Sequence, residues 1–161
     1  MGPVGAEVTM HSVSRGGAYR ARPPDVGRAL LVAIGDGELI VATHRNRRIQ
    51  FVSDALVQQI VEGRKTASVV GLGEVDVADG EYDDPLVVGE YYDVYDSTLV
   101  ARGTIRIVGM ELCRWEEIPE RLWRGETNSS ADEFRRDHLD YFEDPGPGFE
   151  FVAYYFQLAQ R

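Results

Sequence analysis

From Ile49 to its end this chain changes hydrophobic period repeatedly, and no single period lasts long enough to build one class of structure. "IQFV" (49–52) reads as a strand. Ser53 or Asp54 then caps a helix whose apolar positions Leu56, Val57, Ile60 and Val61 follow helical spacing until Gly63 ends it. An acidic loop, "GEVDVADGEYDDP", leads to two strands, "LVVGEYYDVYD" and "LVARGTIRIVGMEL", around a turn near Asp96-Ser97. In the second strand Ile105 and Ile107 face inward while Thr104 and Arg106 face outward. "RWEEIPERLWRGE" is a short helix with Ile118, Leu122 and Trp123 on one face. Ser130-Ala131-Asp132-Glu133 forms a capping box that opens the helix "ADEFRRDHLDYF", and "FEFVAYYFQLA" is a closing strand rich in β-formers. Strands mixed with short helices, without βαβ repetition, predict an α+β barrel or curled sheet.

Upstream of this region the character differs. Residues 1–28 are rich in Gly, Pro and Arg, show no apolar period, and read as weakly ordered. "ALLVAIGDGELIVATH" places two apolar runs around Gly35-Asp36-Gly37-Glu38, a hairpin pattern at 29–43. The expected organisation is therefore an N-terminal extension, 1–47, followed by one domain, 48–161. The longest early apolar run, Ala29–Ile34, is too short to span a bilayer and late for a signal peptide. Cys113 is the sole cysteine, which rules out an internal disulfide and a cysteine-built zinc site. A cytoplasmic protein that needs no metal or other cofactor is the expectation.

Charge narrows the partners. Residues 1–48 carry seven arginines against four acids, whereas residues 49–161 carry ten bases against twenty-three acids, a balance of −13. Binding to long nucleic acid needs a cationic surface that displaces counterions from phosphates, so duplex DNA is a poor partner for this body. A nucleoside or a short single strand entering a local pocket remains compatible with it.

Lys65 is the only lysine in 161 residues; arginine takes every other basic position. An ammonium can lose its proton when desolvated, and a guanidinium effectively cannot. Placed just after a helix C-terminus and followed by Thr66 and Ser68, Lys65 has the chemistry of a general base that activates a hydroxyl nucleophile. A carboxylate is still needed to orient it or to shuttle protons.

"EGRKTAS" resembles the signature loop of the ASCH family of the PUA-like superfamily, whose pattern runs Gly-x-Lys-x-x-Thr-x-Arg after the first helix. Gly63 and Lys65 match it, Ser68 replaces the threonine, and Val70 stands where the family often has arginine. "VVGEYYDVYD" is similar to the family's Val-Gly-Asp strand opening, and "LWRGETNSSADEFRRDHLDYF" to its Glu-containing helix end with the following Ser-x-x-x-Phe/Trp-Arg-x-x-His segment. The resemblance spans about residues 48–161. It implies a PUA-like mixed β-barrel with flanking short helices and a cleft that holds the signature loop. It also implies ligands derived from RNA, with short members deacetylating N4-acetylcytidine through a lysine, a threonine and a glutamate. Carried onto this chain, the catalytic set is Lys65, Ser68 and Glu126, with Gly63, Arg64 and Thr66 as substrate-binding neighbours and no metal.

Three function classes follow: an amidohydrolase, a non-catalytic RNA- or nucleotide-binding module, and a ribonuclease. His138, on the aromatic face of its helix, reads as a hydrogen-bonded core histidine. Tyr91, Tyr92, Trp115 and Trp123 carry ring faces that can stack on a base, but aromatics in strands and short helices more often serve the core. The acid-rich loop lacks the ligand spacing of a calcium site and reads as solvated.

Overall fold

The structure is a computed structural model that describes residues 46–51, 53–77 and 83–159, together with the backbone of two strands at 29–34 and 38–43. The chain divides into two compact units, Met1–Asn46 and Arg47–Arg161. In the first unit β1 (Ala29–Ile34) and β2 (Glu38–Thr43) pair antiparallel, from Ala29 opposite Thr43 to Ile34 opposite Glu38. The weakly ordered segment expected at 1–28 and the turn at 35–37 lie outside the described residues.

The second unit is a mixed five-stranded sheet that curls into a half-barrel. Its strands are β3 (Arg47–Gln50), β4 (Ala67–Gly71), β5 (Tyr91–Tyr95), β6 (Ala101–Arg114) and β7 (Glu150–Leu158), arranged β3-β5-β6-β7-β4. Only β3 and β5 run parallel; the other neighbours are antiparallel. β6 is long enough to pair with β5 through its first half and with β7 along most of its length. Its register shifts between Ile107 and Gly109, and an irregularity of this kind increases local twist and bends the sheet. Three short helices complete the unit: α1 (Asp54–Val61), α2 (Glu120–Gly125) and α3 (Ala131–His138). Among the described residues no helix is long and apolar enough to cross a membrane.

β7 explains its own composition. Six consecutive residues, Phe151 to Phe156, are buried, because each face of this strand meets a different core. Tyr154 and Phe156 join Ile60, Tyr92, Val94, Ile105 and Ile107 on one side. Phe151, Ala153 and Tyr155 join Trp115, Leu122 and Phe134 on the other. Leu122 and Phe134 are fully buried, and each contributes roughly 1.5–3 kcal/mol by leaving water. Tyr92 and Trp115 are core residues, as aromatics in such elements usually are; Tyr91 is exposed under Arg106, and Trp123 is half-buried under Arg124.

The structure refines several boundaries. The strand expected from Leu86 begins only at Tyr91. The segment before it is held as a loop, with Leu86 N–H bonded to Val75 O and Val87 N–H to the Tyr92 hydroxyl, and it turns at Gly89 (φ +94°). The loop expected at 65–68 gives way at Ala67 to a strand, β4. Its alternation of buried Ala67 and Val69 with half-buried Ser68 and Val70 is the period-2 signal that marks it as a strand. The capping box at α3 is displaced by one residue. Ser130 Oγ accepts from Glu133 N–H at 3.1 Å as expected, but the Glu133 carboxylate turns back to Ser129 instead of Ser130.

Candidate functional site

The site is built where two helices end against each other. α1 closes through Gly63 in a left-handed conformation (φ +75°), which lets the Gln59 carbonyl accept from both Arg64 N–H (2.9 Å) and Lys65 N–H (3.1 Å). That reversal turns the Lys65 side chain inward, where only 2% of the residue remains exposed. α2 closes in a similar way. Glu126 caps it with its N–H on Leu122 O, and Thr127 follows in the left-handed region (φ +67°). The two ends are joined directly by Thr66 N–H donating to Gly125 O at 2.8 Å, while Phe156 N–H of β7 donates to Thr66 O at 2.9 Å. Lys65 and Glu126, 61 positions apart in the chain, thus follow two helix termini that share a hydrogen bond.

This junction leaves no space for a side chain at position 125. A Cβ there would lie 2.6 Å from Ala67 Cβ and 3.1 Å from Ala67 N, so the strand backbone itself would have to move. Gly125→Ala is therefore expected to destabilise the unit by about 1–3 kcal/mol. Urea denaturation measures this, and an unchanged midpoint would mean that the two helix ends are not locked together.

Within the junction Lys65 Nζ donates to Glu126 Oε2, forming a buried ion pair. The second oxygen, Oε1, is buried with no hydrogen-bond partner and faces His138 Nε2 at 3.5 Å. On the far side of that ring, Nδ1 lies 2.8 Å from Phe134 O, and the imidazole stacks on Phe134 with ring centroids 4.0 Å apart. Burial draws the Lys65 ammonium below the usual lysine range, against the opposing pull of Glu126. Burial pushes Glu126 the other way, but His138 and Lys65 outweigh it and hold the carboxyl below its ordinary range. The pair is a buried carboxylate beside an ammonium made easier to deprotonate.

Lys65, Glu126, His138 and Ser68 line a single cavity of about 380 Å³, together with Phe51, Leu56, Gln59, Asn128, Asp137 and Tyr154 among others. A neighbouring hollow of about 470 Å³ shares Gln50, Val69, Tyr141 and Tyr154 with it. That larger hollow contains neither Lys65 nor Glu126, so the chemistry assigned to this pair belongs to the smaller one. Ser68 stands opposite Tyr154 in the β4–β7 register, and both residues line the cavity. Burial raises the Tyr154 phenol far above its usual range, which keeps it protonated.

The sequence-derived candidates separate into two groups. Lys65, Ser68 and Glu126 share the cavity; Gly63, Arg64 and Thr66 do not line it. Gly63 shapes the turn, exposed Arg64 pairs with Glu62, and Thr66 acts through its backbone as the clamp between α2 and β7. Two cavity residues were not singled out for the site beforehand. His138 has the hydrogen bond expected of a core histidine, yet its other nitrogen faces Glu126; its four-residue spacing from Phe134, which puts both on one helix face, was the available signal. Tyr154 was hidden in an uninterrupted apolar strand.

A curled mixed sheet with short helices, opening on a cavity beside the turn that follows α1, defines an α+β fold. It is the fold of ASCH domains. The crystal structure of an ASCH domain from Lactobacillus crispatus JV V101 matches with a TM-score of 0.54 at 16% identity, covering 65% of this chain and 70% of that one. A DUF984 protein from Enterococcus faecalis V583 matches at TM-score 0.48 and 20% identity over 71% of this chain and 80% of that one. A variant of an ASCH protein from Zymomonas mobilis matches at TM-score 0.45 and 13% identity, over 68% and 66% respectively. At these identities the likeness is one of fold, and the first match carries it. No protein-family model and no curated protein matches the chain.

Proposed function

We propose that this protein is a hydrolase of small, unphosphorylated amides of the N4-acetylcytidine kind, with Lys65 as base, Ser68 as nucleophile and Glu126 as proton carrier. The observation that supports this most is the buried Lys65–Glu126 pair opening on a cavity beside a serine. In the proposed reaction Lys65 passes a proton to Glu126, and the free amine takes the Ser68 proton as Oγ attacks the acyl carbon. The C–N bond breaks as the leaving nitrogen takes the proton held by Glu126, giving an acyl-serine and a free amine and restoring the Lys65 ammonium and the Glu126 carboxylate. Water then hydrolyses the ester, releasing the acid and restoring Ser68. Tyr154, kept protonated, can donate a hydrogen bond to the oxyanion that forms.

The lining also bears on the choice of substrate. The chain has sixteen arginines, yet among the described residues none lines this cavity or its neighbour. The acids Glu133 and Asp137 stand in the wall, and the one ammonium is already paired with Glu126. Among the described residues a phosphate would meet no arginine and no unpaired lysine there, which favours a nucleoside over RNA and weighs against a ribonuclease.

The test is to incubate wild type and Ser68→Ala with N4-acetylcytidine and with short single-stranded RNA, following acetate release, strand cleavage and binding. Wild type is expected to release acetate. Ser68→Ala is expected to lose turnover while binding within about tenfold, because a nucleophile acts mainly in the transition state. Equal binding by both proteins without product would replace the hydrolase with a binding module, and strand cleavage without acetate would replace it with a ribonuclease.

A further inference from the structure

His138 has one ring nitrogen committed and one available. The Phe134 carbonyl can only accept, so Nδ1 carries the hydrogen of the 2.8 Å bond and Nε2 is left as the proton-exchanging atom. The hydrogen bond and the stack on fully buried Phe134 fix the ring's direction, which brings Nε2 to 3.5 Å from Glu126 Oε1. When Nε2 is unprotonated, it and an ionised Oε1 are two acceptors facing each other with no donor between them. When it is protonated, it meets the one oxygen of the pair that lacks a partner.

We infer that His138 is a positioning residue for Glu126 and the second base to which that carboxylate can pass the Lys65 proton. The transfer balances. An N–H bond of Lys65 breaks, an O–H bond forms on Glu126, and as the carboxyl turns the proton moves to the Nε2 lone pair. A neutral lysine, a carboxylate and an imidazolium replace an ammonium, a carboxylate and a neutral imidazole, with no change in net charge. The imidazole lies in the last turn of α3. Around it stand Glu126 from the end of α2, Glu133 and Asp137 from α3 itself, Lys65 from the loop after α1, Tyr154 from β7, and Tyr141. The consequence, a neutral Lys65 at lower pH than burial alone allows, rests on the base role proposed above; the coupling itself does not.

The coupling can be read without substrate because Lys65 is the only lysine and the chain has three histidines. In a background carrying His11→Gln and His44→Gln, with lysine labelled by ¹³C and imidazole by ¹⁵N, each label reports on one residue of the ligand-free protein. The Lys65 ε-carbon is expected to show an inflection at the pH where His138 titrates, with Nδ1 protonated throughout. Adding His138→Gln is expected to abolish that inflection. A Lys65 trace with no inflection at the His138 midpoint, or an imidazole with bare Nδ1, overturns the inference. If His138→Gln does not fold, the coincidence of the two traces decides alone. Missing acetate release with coincident traces sinks only the reaction, and independent traces with acetate release sink only this relay.

Discussion

Lys65→Met is expected to cost about 3–5 kcal/mol of stability, a large share of what holds a domain of this size together. The substitution preserves most of the side-chain volume but leaves the Glu126 carboxylate buried without its ammonium. Glu126→Leu should cost a comparable amount by stranding Lys65. The double variant Lys65→Met/Glu126→Leu removes both charges and is expected to lie closer to wild type than either single change, because two buried ions no longer have to be desolvated. Urea denaturation of all four proteins gives the coupling; additive losses would mean that the pair is not a unit.

The same cycle has a pH signature. Glu126 titrates below its ordinary value in the fold, so its contribution is fully present above the unfolded carboxylate pKa and is lost as pH falls through the lowered folded value. Lys65 has the opposite sense. Its folded pKa also lies below the unfolded one, so the fold disfavours the ammonium, and stability from this group rises as pH climbs from the folded value toward the unfolded one. Wild type should therefore lose stability in acid and gain it in alkali relative to the double variant, in which neither group titrates.

Lys65→Arg is expected to lower amide hydrolysis by at least about 10²-fold while the protein stays folded. A guanidinium preserves the charge opposite Glu126 but cannot supply a free base. Its stability should accordingly fall nearer to wild type than that of Lys65→Met. A Lys65→Arg protein that retains full turnover on a verified substrate would remove general-base chemistry from this position.

Much of this site could be read before any tertiary contact was known. The loss of lysine from every position but 65 marked that residue as one whose job a guanidinium cannot do. Gly63 marked the reversal that aims it, because a left-handed residue is needed where the helix stops. Glu126 was legible only through resemblance, since a glutamate after a short helix has no local feature to distinguish it from exposed neighbours such as Glu120. Arg64 and Thr66 were drawn in by their neighbourhood in the loop, but in the structure alternate residues diverge: 65 and 67 are buried while 64 and 66 are exposed. His138 looked like core because part of it is core; only the direction of its second nitrogen sets it apart.

Short-range physics therefore lies within reach of the sequence: caps, periods, the end of α1 at Gly63 and the two-faced burial implied by the apolar run in β7. These depend on residues within a few positions of one another. The tertiary structure alone decided that β4 lies on the edge beside β7, that Thr66 N–H meets Gly125 O, and that Lys65, Glu126 and His138 therefore converge. Each of these is a pairing between distant segments, made where two cores are buried against opposite faces of β7 and the two helix ends share a backbone hydrogen bond.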